Sequence, residues 1–501
     1  MRVTFRRSPK IARVLLWIAS LSVLLAIAAI HVGCSSSNTV LPPSGTGTVH
    51  VSITDPPSCA FPNGDFDHVY VTIRSVQAHT SATAGDNTPG WQELAPQLNT
   101  QPMQIDLFAA GPNACLLTML GSNTALPAGT YQQIRLLLVP NDGGGGPVPA
   151  TNACGNQGYN CVQFHSDGSF HELLLSSQAN TGLKIPPGQV QGGPITVGPG
   201  QAVDLNIDFN ACASIIQQGN GQFRLKPVLT AGQVSKNTTG ISGQIVDSVT
   251  HVPIAGGTVL VALEQPDSTG TDVISRQTVA DSNGNFNFCP LPTAATFDVV
   301  VVAINGAGVA YNATVAVGVP GGTNLGAIPL VAETGGTSTG PATLQGFVTA
   351  TTGTGPSTIL AAVSAMQTIT LSGGAPRVVT IPAQGDSTPN ISVDPITTCP
   401  STAPPNANCG QYTLIEPASN PSVGTFSAGS ISYSVPAPGD VAYSVTASAF
   451  ATSDGGTPDC TPPSQTTDAI SGGLPGSLLV SPGTTVTPEE LDFSGCSAPA
   501  P

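Results

Sequence analysis

The sequence predicts an all-β, multidomain protein built of β-sandwich modules. Three observations point to this class: short runs in which apolar and polar residues alternate, frequent turn signals between them, and a shortage of charge. Only 8% of the 501 residues are charged, which is too few for coiled coils or long helical repeats. The 57 glycines and 46 prolines punctuate the alternating runs, as expected of strands joined by turns.

The first folded region is predicted over residues 46–236. Alternation with a period of two residues marks strands at 49–53, 69–73 and 203–209. The nearly continuous apolar run at 134–139 predicts a central strand that is buried on both faces. One short helix is expected at 114–120.

Residues 1–33 predict an export signal. A basic start precedes an apolar run at 14–30, which ends at Gly33 and Cys34. These residues resemble the lipobox of bacterial lipoproteins, in which the cysteine is lipidated and becomes the mature N-terminus. His31 departs from that pattern, because the family prefers an aliphatic residue there. An uncleaved anchor is the alternative, since about 19 apolar residues can span a bilayer.

The resemblance implies palmitate on Cys34, a polar tether over residues 34–45, and a membrane as the first partner. It places the protein in the bacterial cell envelope, outside the cytoplasm, as an outer-membrane lipoprotein. Both the lipoprotein and the anchor interpretations tether the rest of the chain outside the cytoplasm.

Charge excludes nucleic acid as a partner. The formal net charge is −15, and it becomes more negative once the basic residues of the signal are removed. Beyond Lys236 the chain has only two basic residues, Arg276 and Arg377. Polyanions are poor ligands for such a surface.

The cysteines predict disulfides. Setting Cys34 aside leaves ten of the 11 cysteines, an even number in a chain with an export signal. Cys212 and Cys289 fall in different predicted regions, so they either link those regions or are buried free thiols. The proposed pairs are Cys59 with Cys115, Cys154 with Cys161, Cys399 with Cys409, and Cys460 with Cys496.

Several separated motifs in the first region occur in a recognisable order. They include Phe66-Asp67-His68 at a strand start, Gly90-Trp91-Gln92-Glu93-Leu94, and the segment at 126–135. This set resembles the bacterial lipoprotein family called domain of unknown function 4382. The resemblance implies a β-rich fold and a surface location, and it brings no activity.

The second region, residues 240–332, resembles the carboxypeptidase regulatory-like domain, a small transthyretin-like β-sandwich. The resemblance rests on the segments 243–247, 253–259, 278–288 and 297–303 in that order. Such domains are accessory modules, so no peptidase activity is implied. A third β-sandwich with a long insertion is predicted at 341–497.

Metal binding is considered at His165, Asp167 and His171, which lie close together around a predicted hairpin turn. A polar hairpin tip is the favoured interpretation. Likewise, the segment 281–285 is interpreted as a hairpin turn rather than a calcium loop, because the positions of glycine and glutamate do not fit the loop. The alternating residues Asp204, Asn206 and Asp208 are interpreted as a solvated strand face.

No catalytic constellation, and therefore no cofactor, is identified. The last histidine is His251, which excludes a His-based triad within the third region. The preferred hypothesis is a non-enzymatic lipoprotein of stacked β-domains with a binding, adhesion or envelope-structural role. Its partner would be an extracellular or periplasmic protein or a glycan. The alternatives are a metal-dependent hydrolase centred on the first region and a glycan-binding accessory module that uses Trp91. Packing in the core is the commoner role for a tryptophan in the position of Trp91.

Overall fold

The computed structural model describes residues 45–496, apart from 55–65, 86, 109–117, 176–181, 186–189, 192–193, 210, 218–221, 226–228, 234–239, 255–256, 268, 290, 292–294, 334–339, 353–354, 372–374, 386, 396, 438 and 451–459. The predicted signal, Cys34, Cys59 and Cys115 therefore lie outside the described residues. Gly45 onward forms one compact unit. Within the described residues, no helix has the length and apolar character needed to cross a membrane.

Strands dominate the first region, and this confirms the predicted all-β class. The helical elements described there are a 3-10 helix at Pro96–Asn99 and a one-turn helix, α1, at Ala211–Ser214. The strands are β1 (Thr46–Thr54), β2 (Phe66–His79), β3 (Gln92–Glu93), β4 (Met103–Asp106), β5 (Thr118–Pro127), β6 (Gly129–Tyr131), β7 (Gln133–Leu138), β8 (Cys161–Phe164), β9 (Phe170–Leu174), β10 (Leu183–Ile185), β11 (Val190–Gln191), β12 (Ile195–Val197), β13 (Ala202–Phe209), β14 (Ile215–Gln217), β15 (Phe223–Leu225) and β16 (Leu229–Gln233).

Two sheets enclose the first core. One has the order β11-β16-β13-β1-β5, and the other has β10-β7-β2-β8-β9-β15-β14 with β3 and β4 on β2. Apolar side chains from both sheets, among them Val51 and Ile53 of β1 and Val71 and Ile73 of β2, join a single buried cluster. As predicted from the apolar run at 134–139, β7 is an interior strand, since it pairs with β2 and β10.

The rest of the chain continues as strands. Those between residues 241 and 330 are β17 (Ile241–Asp247), β18 (Gly257–Pro266), β19 (Asp272–Val279), β20 (Asn285–Phe288), β21 (Thr296–Asn305), β22 (Ala310–Pro320) and β23 (Asn324–Leu330). Those that follow are β24 (Ala342–Ala350), β25 (Ile359–Ile369), β26 (Arg377–Ile381), β27 (Asn390–Val393), β28 (Asn408–Glu416), β29 (Ser422–Thr425), β30 (Val441–Ala442), β31 (Ser444–Phe450), β32 (Ser464–Thr467), β33 (Leu479–Val480), β34 (Thr485–Val486) and β35 (Leu491–Phe493).

The second and third regions share one sheet. Its order is β29-β22-β21-β18-β19-β26-β25-β31-β32, with β27 on β25. A three-stranded sheet, β20-β17-β23, contributes to one core, and a four-stranded sheet, β28-β24-β34 with β35, contributes to another. The predicted boundary between 332 and 341 falls between β23 and β24. Strands from the two sides of this boundary, such as β19 and β26, pair with each other in the shared sheet.

The shared sheet explains the apolar run in β21. Val299 and Val301 belong to the core formed with β17 and β20, whereas Val300 and Val302 belong to the core formed with β24, β25 and β28. Neighbouring residues of a strand point to opposite faces, so a strand that is covered on both faces must be apolar throughout. The turn before β20 forms as expected: Gly284 has φ +72°, and Asp281 accepts hydrogen bonds from two backbone amides.

Two expectations about local structure are wrong. Residues 118–120, predicted to be helical, begin β5, in which Thr118 pairs with Ile53 of β1 and Met119 with Ser52. Residues 114–117 lie outside the described part. The strand face of Asp204, Asn206 and Asp208 is not solvated, since Asn206 and Asp208 are buried. Alternation identified this strand correctly, but it does not show that another part of the chain covers its polar face.

Three disulfides are present in the described part. They join Cys154 to Cys161, Cys399 to Cys409, and Cys460 to Cys496. Cys289 is also disulfide-bonded, which removes the free-thiol alternative for that residue. The side chain of Cys212 lies outside the described residues.

Candidate functional site

The first candidate site is a buried ion pair between the first and second regions. Arg276 of β19 places its Nε 3.1 Å from Oδ2 of Asp208 on β13. The two side chains are 5% and 3% exposed, so water screens the pair very little. Burial raises the pKa of the Asp208 carboxyl, while Arg276 and a hydrogen bond from Thr54 oppose that rise.

A ladder of polar side chains supports Asp208. β1 and β13 run parallel, with Ser52 opposite Asn206 and Thr54 opposite Asp208. Ser52 Oγ donates to Asn206 Oδ1 at 3.1 Å, Asn206 Nδ2 donates to Thr54 Oγ1 at 2.8 Å, and Thr54 Oγ1 donates to Asp208 Oδ1 at 3.2 Å. The ladder fixes the carboxylate on the outer face of β13, where Arg276 of the next region covers it.

The second candidate site joins the second and third regions. Arg377, the first residue of β26, places Nη1 2.5 Å from Oδ2 of Asp298 and 3.5 Å from Oδ2 of Asp272. Both carboxylates are nearly fully buried, whereas the arginine side chain is 40% exposed. The guanidinium therefore lies at the rim of an acidic pocket and closes it from the side of the third region.

Glu264 is the third acidic residue at this junction. It lies opposite Asp298 in the pairing of β18 with β21, and it is fully buried. Its Oε2 accepts a hydrogen bond from the backbone N–H of Thr380 on β26, while Oε1 has no hydrogen-bond partner within the described residues. Burial raises the pKa of Glu264 well above its ordinary value, and the nearby Asp272 and Asp298 add to that rise.

Additional polar contacts tie the third region to the end of the second. Glu333 accepts hydrogen bonds from the backbone N–H of Ala418 at 2.6 Å and from Ser419 Oγ at 3.0 Å. Asn312 Nδ2 donates to Ser422 Oγ at 3.0 Å, beside the parallel pairing of β22 with β29. Burial raises the pKa of Glu333. The two regions are therefore joined by backbone pairing and by buried side chains.

Both basic residues that follow Lys236 in the sequence lie in these junctions. Arg276 and Arg377 are the only Lys or Arg beyond Lys236, and each contacts a carboxylate on another strand or in another predicted region. A charge buried in a β-protein is costly unless it is paired. Their chemistry is suited to fixing the geometry between strands rather than to binding an anionic ligand.

The sequence did not identify Glu264, Asp272, Asp298 or Arg377 as functional. The signal that could have found them is a charged residue inside an apolar strand, such as Asp298 between Phe297 and Val299. Such a position predicts a buried charge with a partner, since a strand that is apolar throughout is covered on both faces. The identity of the partner does not follow from the sequence, because Arg377 lies 79 residues from Asp298 along the chain.

The histidines considered for a metal have separate partners. His165, in the turn between β8 and β9, places Nδ1 2.7 Å from Oδ1 of Asp67. His171 on β9 contacts Ser169 Oγ through Nε2 at 3.0 Å, and its ring packs edge-on against Phe164. Asp167 accepts hydrogen bonds from Ser169, which lower its pKa. Within the described residues, no group of three His, Cys, Asp or Glu side chains is arranged to hold a metal ion.

Trp91 is half-buried rather than part of the core. The Arg135 guanidinium carbon lies 4.1 Å from the centroid of the indole ring, and the His79 ring lies 5.1 Å from it. The indole Nε1 donates to the Gly85 carbonyl at 3.1 Å. The tryptophan is accessible, but a cation already occupies part of its aromatic surface.

An open groove of about 570 Å³ lies beside β29. Six of its lining side chains carry aliphatic hydroxyls and none carries a charge. Tyr433 also lines the groove, and its hydroxyl has no hydrogen-bond partner in the described part of the chain. A groove of this composition suits an uncharged polar ligand. The six hydroxyl residues are Thr370, Thr425, Ser427, Ser430, Ser432 and Ser434.

Comparison with known proteins identifies one region. Residues 46–227 match the family described as Domain of unknown function (DUF4382), in agreement with the resemblance noted for the first region. The chain matches no curated protein.

Three solved structures illustrate the structural likenesses. The shaft pilin SpaA from Lactobacillus rhamnosus GG is 10% identical, with 58% of this chain and 98% of that chain covered and a TM-score of 0.17. A putative adhesin from Bacteroides ovatus ATCC 8483 is 10% identical, with 53% and 95% covered and a TM-score of 0.15. Two B repeat units of the collagen binding protein of Staphylococcus aureus are 8% identical, with 90% and 74% covered and a TM-score of 0.13.

Proposed function

We propose that this protein is a non-enzymatic lipoprotein of the bacterial cell envelope, tethered through Cys34, whose β-regions act as one coupled structural and binding body outside the cytoplasm. In this proposal the second region is a carboxypeptidase regulatory-like module. The partner is a protein or glycan of the extracellular or periplasmic space, and nucleic acid is not a partner.

The junctions are the observation that supports this proposal. The Arg276–Asp208 pair joins the first and second regions, and Arg377 together with the shared sheet joins the second and third. Flexibly linked modules would not need buried charges at their contacts. A protein that bears load or holds a surface in a fixed arrangement benefits from them, because breaking a buried pair is strongly unfavourable.

Metabolic labelling with palmitate tests the tether. We expect label on the wild-type protein and none on the Cys34→Ala variant. A Ser36→Ala variant serves as the matched control and keeps its label. Label that persists in Cys34→Ala would contradict the lipoprotein assignment.

Loss of a junction tests the structural role. Variants Arg276→Met and Arg377→Met, produced with the native signal, should reach the envelope but fail to restore envelope integrity in a deletion strain, as measured by detergent sensitivity. The Lys184→Met variant changes a charge within the first region and serves as the control. Full restoration by both junction variants would argue against a role that depends on coupling.

Glycan binding is the second candidate function. Two observations favour it: the accessible ring of Trp91 and the uncharged, hydroxyl-lined groove beside β29. A glycan array probed with the wild-type protein tests it. Binding that is lost in Trp91→Ala assigns the first region, and binding that is lost in Ser432→Trp, which fills the groove, assigns the third.

The metal-dependent hydrolase receives less support, because His165 and His171 face different partners. Elemental analysis of the purified chain provides the test. A stoichiometric metal that disappears in His165→Ala would overturn the non-enzymatic proposal.

A further inference from the structure

The junction between β26 and the strands of the second region contains more carboxyl groups than basic groups. Three carboxyl groups, those of Glu264, Asp272 and Asp298, are each at most 4% exposed. One guanidinium, that of Arg377, contacts two of them, at 2.5 Å and 3.5 Å. If all three carboxyls were ionised, the pocket would carry two uncompensated negative charges away from water, which is strongly unfavourable.

Backbone pairing contributes little at this position. β19 and β26 are parallel and share one registered pair, Asp272 with Val379. By comparison, β22 and β29, the other strand pair that links the two regions within this sheet, share four. The attachment of β26 to β19 therefore depends on side chains: Arg377 at one end, and Thr380, whose Oγ1 donates to the Asp272 carbonyl at 2.9 Å.

We propose that the attachment of β26 to β19 depends on a proton: β26 is held closely when Asp272 is protonated, and the attachment loosens when Asp272 is ionised beside Asp298. Nη1 of Arg377 contacts Oδ2 of both carboxyl groups, at 2.5 Å and 3.5 Å, so the two carboxyls lie close together. A proton on Asp272 removes the repulsion between the two carboxyls and leaves Arg377 to balance the remaining charge.

The pKa of Asp272 is shifted in the direction that this proposal requires. Burial, followed by the charge of Asp298, raises the pKa of Asp272 from 3.8 to about 6, even though Arg377 acts to lower it. The titratable and charged groups facing Asp272 are Glu264, Asp267, Asp298 and Arg377. Because its folded-state pKa is raised, Asp272 stabilises the closed junction most in acid. This stabilisation is lost as the pH rises through about 6.

Hydrogen exchange measured by mass spectrometry on the full chain tests the coupling. The Thr380 amide is the reporter, since it donates to Glu264 across the junction at 3.2 Å. After correction for the intrinsic exchange rate, we expect the protection of the peptide containing Thr380 to be about tenfold greater at pH 5 than at pH 7.5. This factor follows from a carboxyl that titrates near 6 when closed and near 3.8 when open.

Asp272→Asn provides the decisive variant, because residue 272 can then no longer ionise, and the protection should depend on pH clearly less than in the wild type. The exposed Asp468→Asn is the matched control and should retain the wild-type profile. Flat protection in the wild type between pH 5 and 7.5, or greater protection at the higher pH, would overturn the proposal without reference to any variant. An Asp272→Asn profile identical to that of the wild type would also overturn it.

Discussion

Arg276 and Asp208, 68 positions apart in the sequence, form a buried ion pair that joins the first and second regions, with Nε and Oδ2 3.1 Å apart. The pair lies where a polar strand face of the first region would otherwise meet solvent. The pair explains why Asp208 is buried and why Arg276, one of the two basic residues beyond Lys236, lies on β19 at this contact.

Removing the arginine alone should be costly. In Arg276→Met, Asp208 remains buried without its cation, so we expect a loss of about 3–5 kcal/mol in the free energy of unfolding. Urea denaturation followed by circular dichroism measures it. The double variant Arg276→Met/Asp208→Leu removes both charges and should recover most of the loss. A single variant as stable as the wild type would show that the pair contributes nothing.

The effect of removing Arg377 should depend on pH. In Arg377→Met the buried carboxyls of Asp272 and Asp298 lose their cation, but in acid Asp272, whose pKa burial raises to about 6, can take up a proton instead. We therefore expect a larger decrease in melting temperature at pH 7.5 than at pH 5. Differential scanning fluorimetry at the two values checks this, and equal decreases would contradict it.

Glu416 on β28 should make the protein sensitive to alkali. Neither of its carboxylate oxygens has a hydrogen-bond partner in the described part of the chain, and burial raises its pKa well above the ordinary 4.5. Its contribution to stability is therefore complete below about 4.5 and is lost as the pH rises.

The Glu416→Gln variant removes this dependence. At pH 8 we expect it to be more stable than the wild type, and at pH 4 to show no gain. Urea midpoints at both values measure the difference. Asp468→Asn, an exposed change in the same region, should leave both midpoints unaltered.

The disulfides should differ in their contributions to stability. Cys460–Cys496 spans 36 residues and Cys154–Cys161 spans seven. Because a longer closed loop removes more entropy from the unfolded chain, replacing the first pair by serine should cost about 4 kcal/mol and the second about 2 kcal/mol. Thermal melts of the two double-serine variants test the order, and the reverse order would reject this explanation.

The sequence predicted the positions of strands better than it predicted which strands pair with or cover one another. Alternation and a continuous apolar run located β1, β2, β7 and β13, because the period of a strand is a local property. The same reasoning failed for Asn206 and Asp208, since the covering residue, Arg276, comes from a different region. Sharing of a sheet by the second and third regions also depends on long-range pairing, which a local pattern does not contain.

The candidate junctions illustrate the same limit. The scarcity of Lys and Arg beyond Lys236 could be read directly, and it singled out Arg276 and Arg377 as unusual. Their roles required the positions of Asp208, Asp272 and Asp298, each on another strand. The disulfides were partly predictable, because cysteines that are near each other in sequence, such as Cys154 and Cys161, are expected to lie close together in the fold.

The position of the two arginines also determines how a trypsin-like protease meets the native protein. Between residues 237 and 501, such an enzyme has only the bonds after Arg276 and Arg377 to cleave. Both bonds lie within β-strands, and the side chain that the protease must capture is held in an ion pair. Cleavage after Arg276 requires that junction to open first, so the rate of appearance of that fragment measures how often the first and second regions separate.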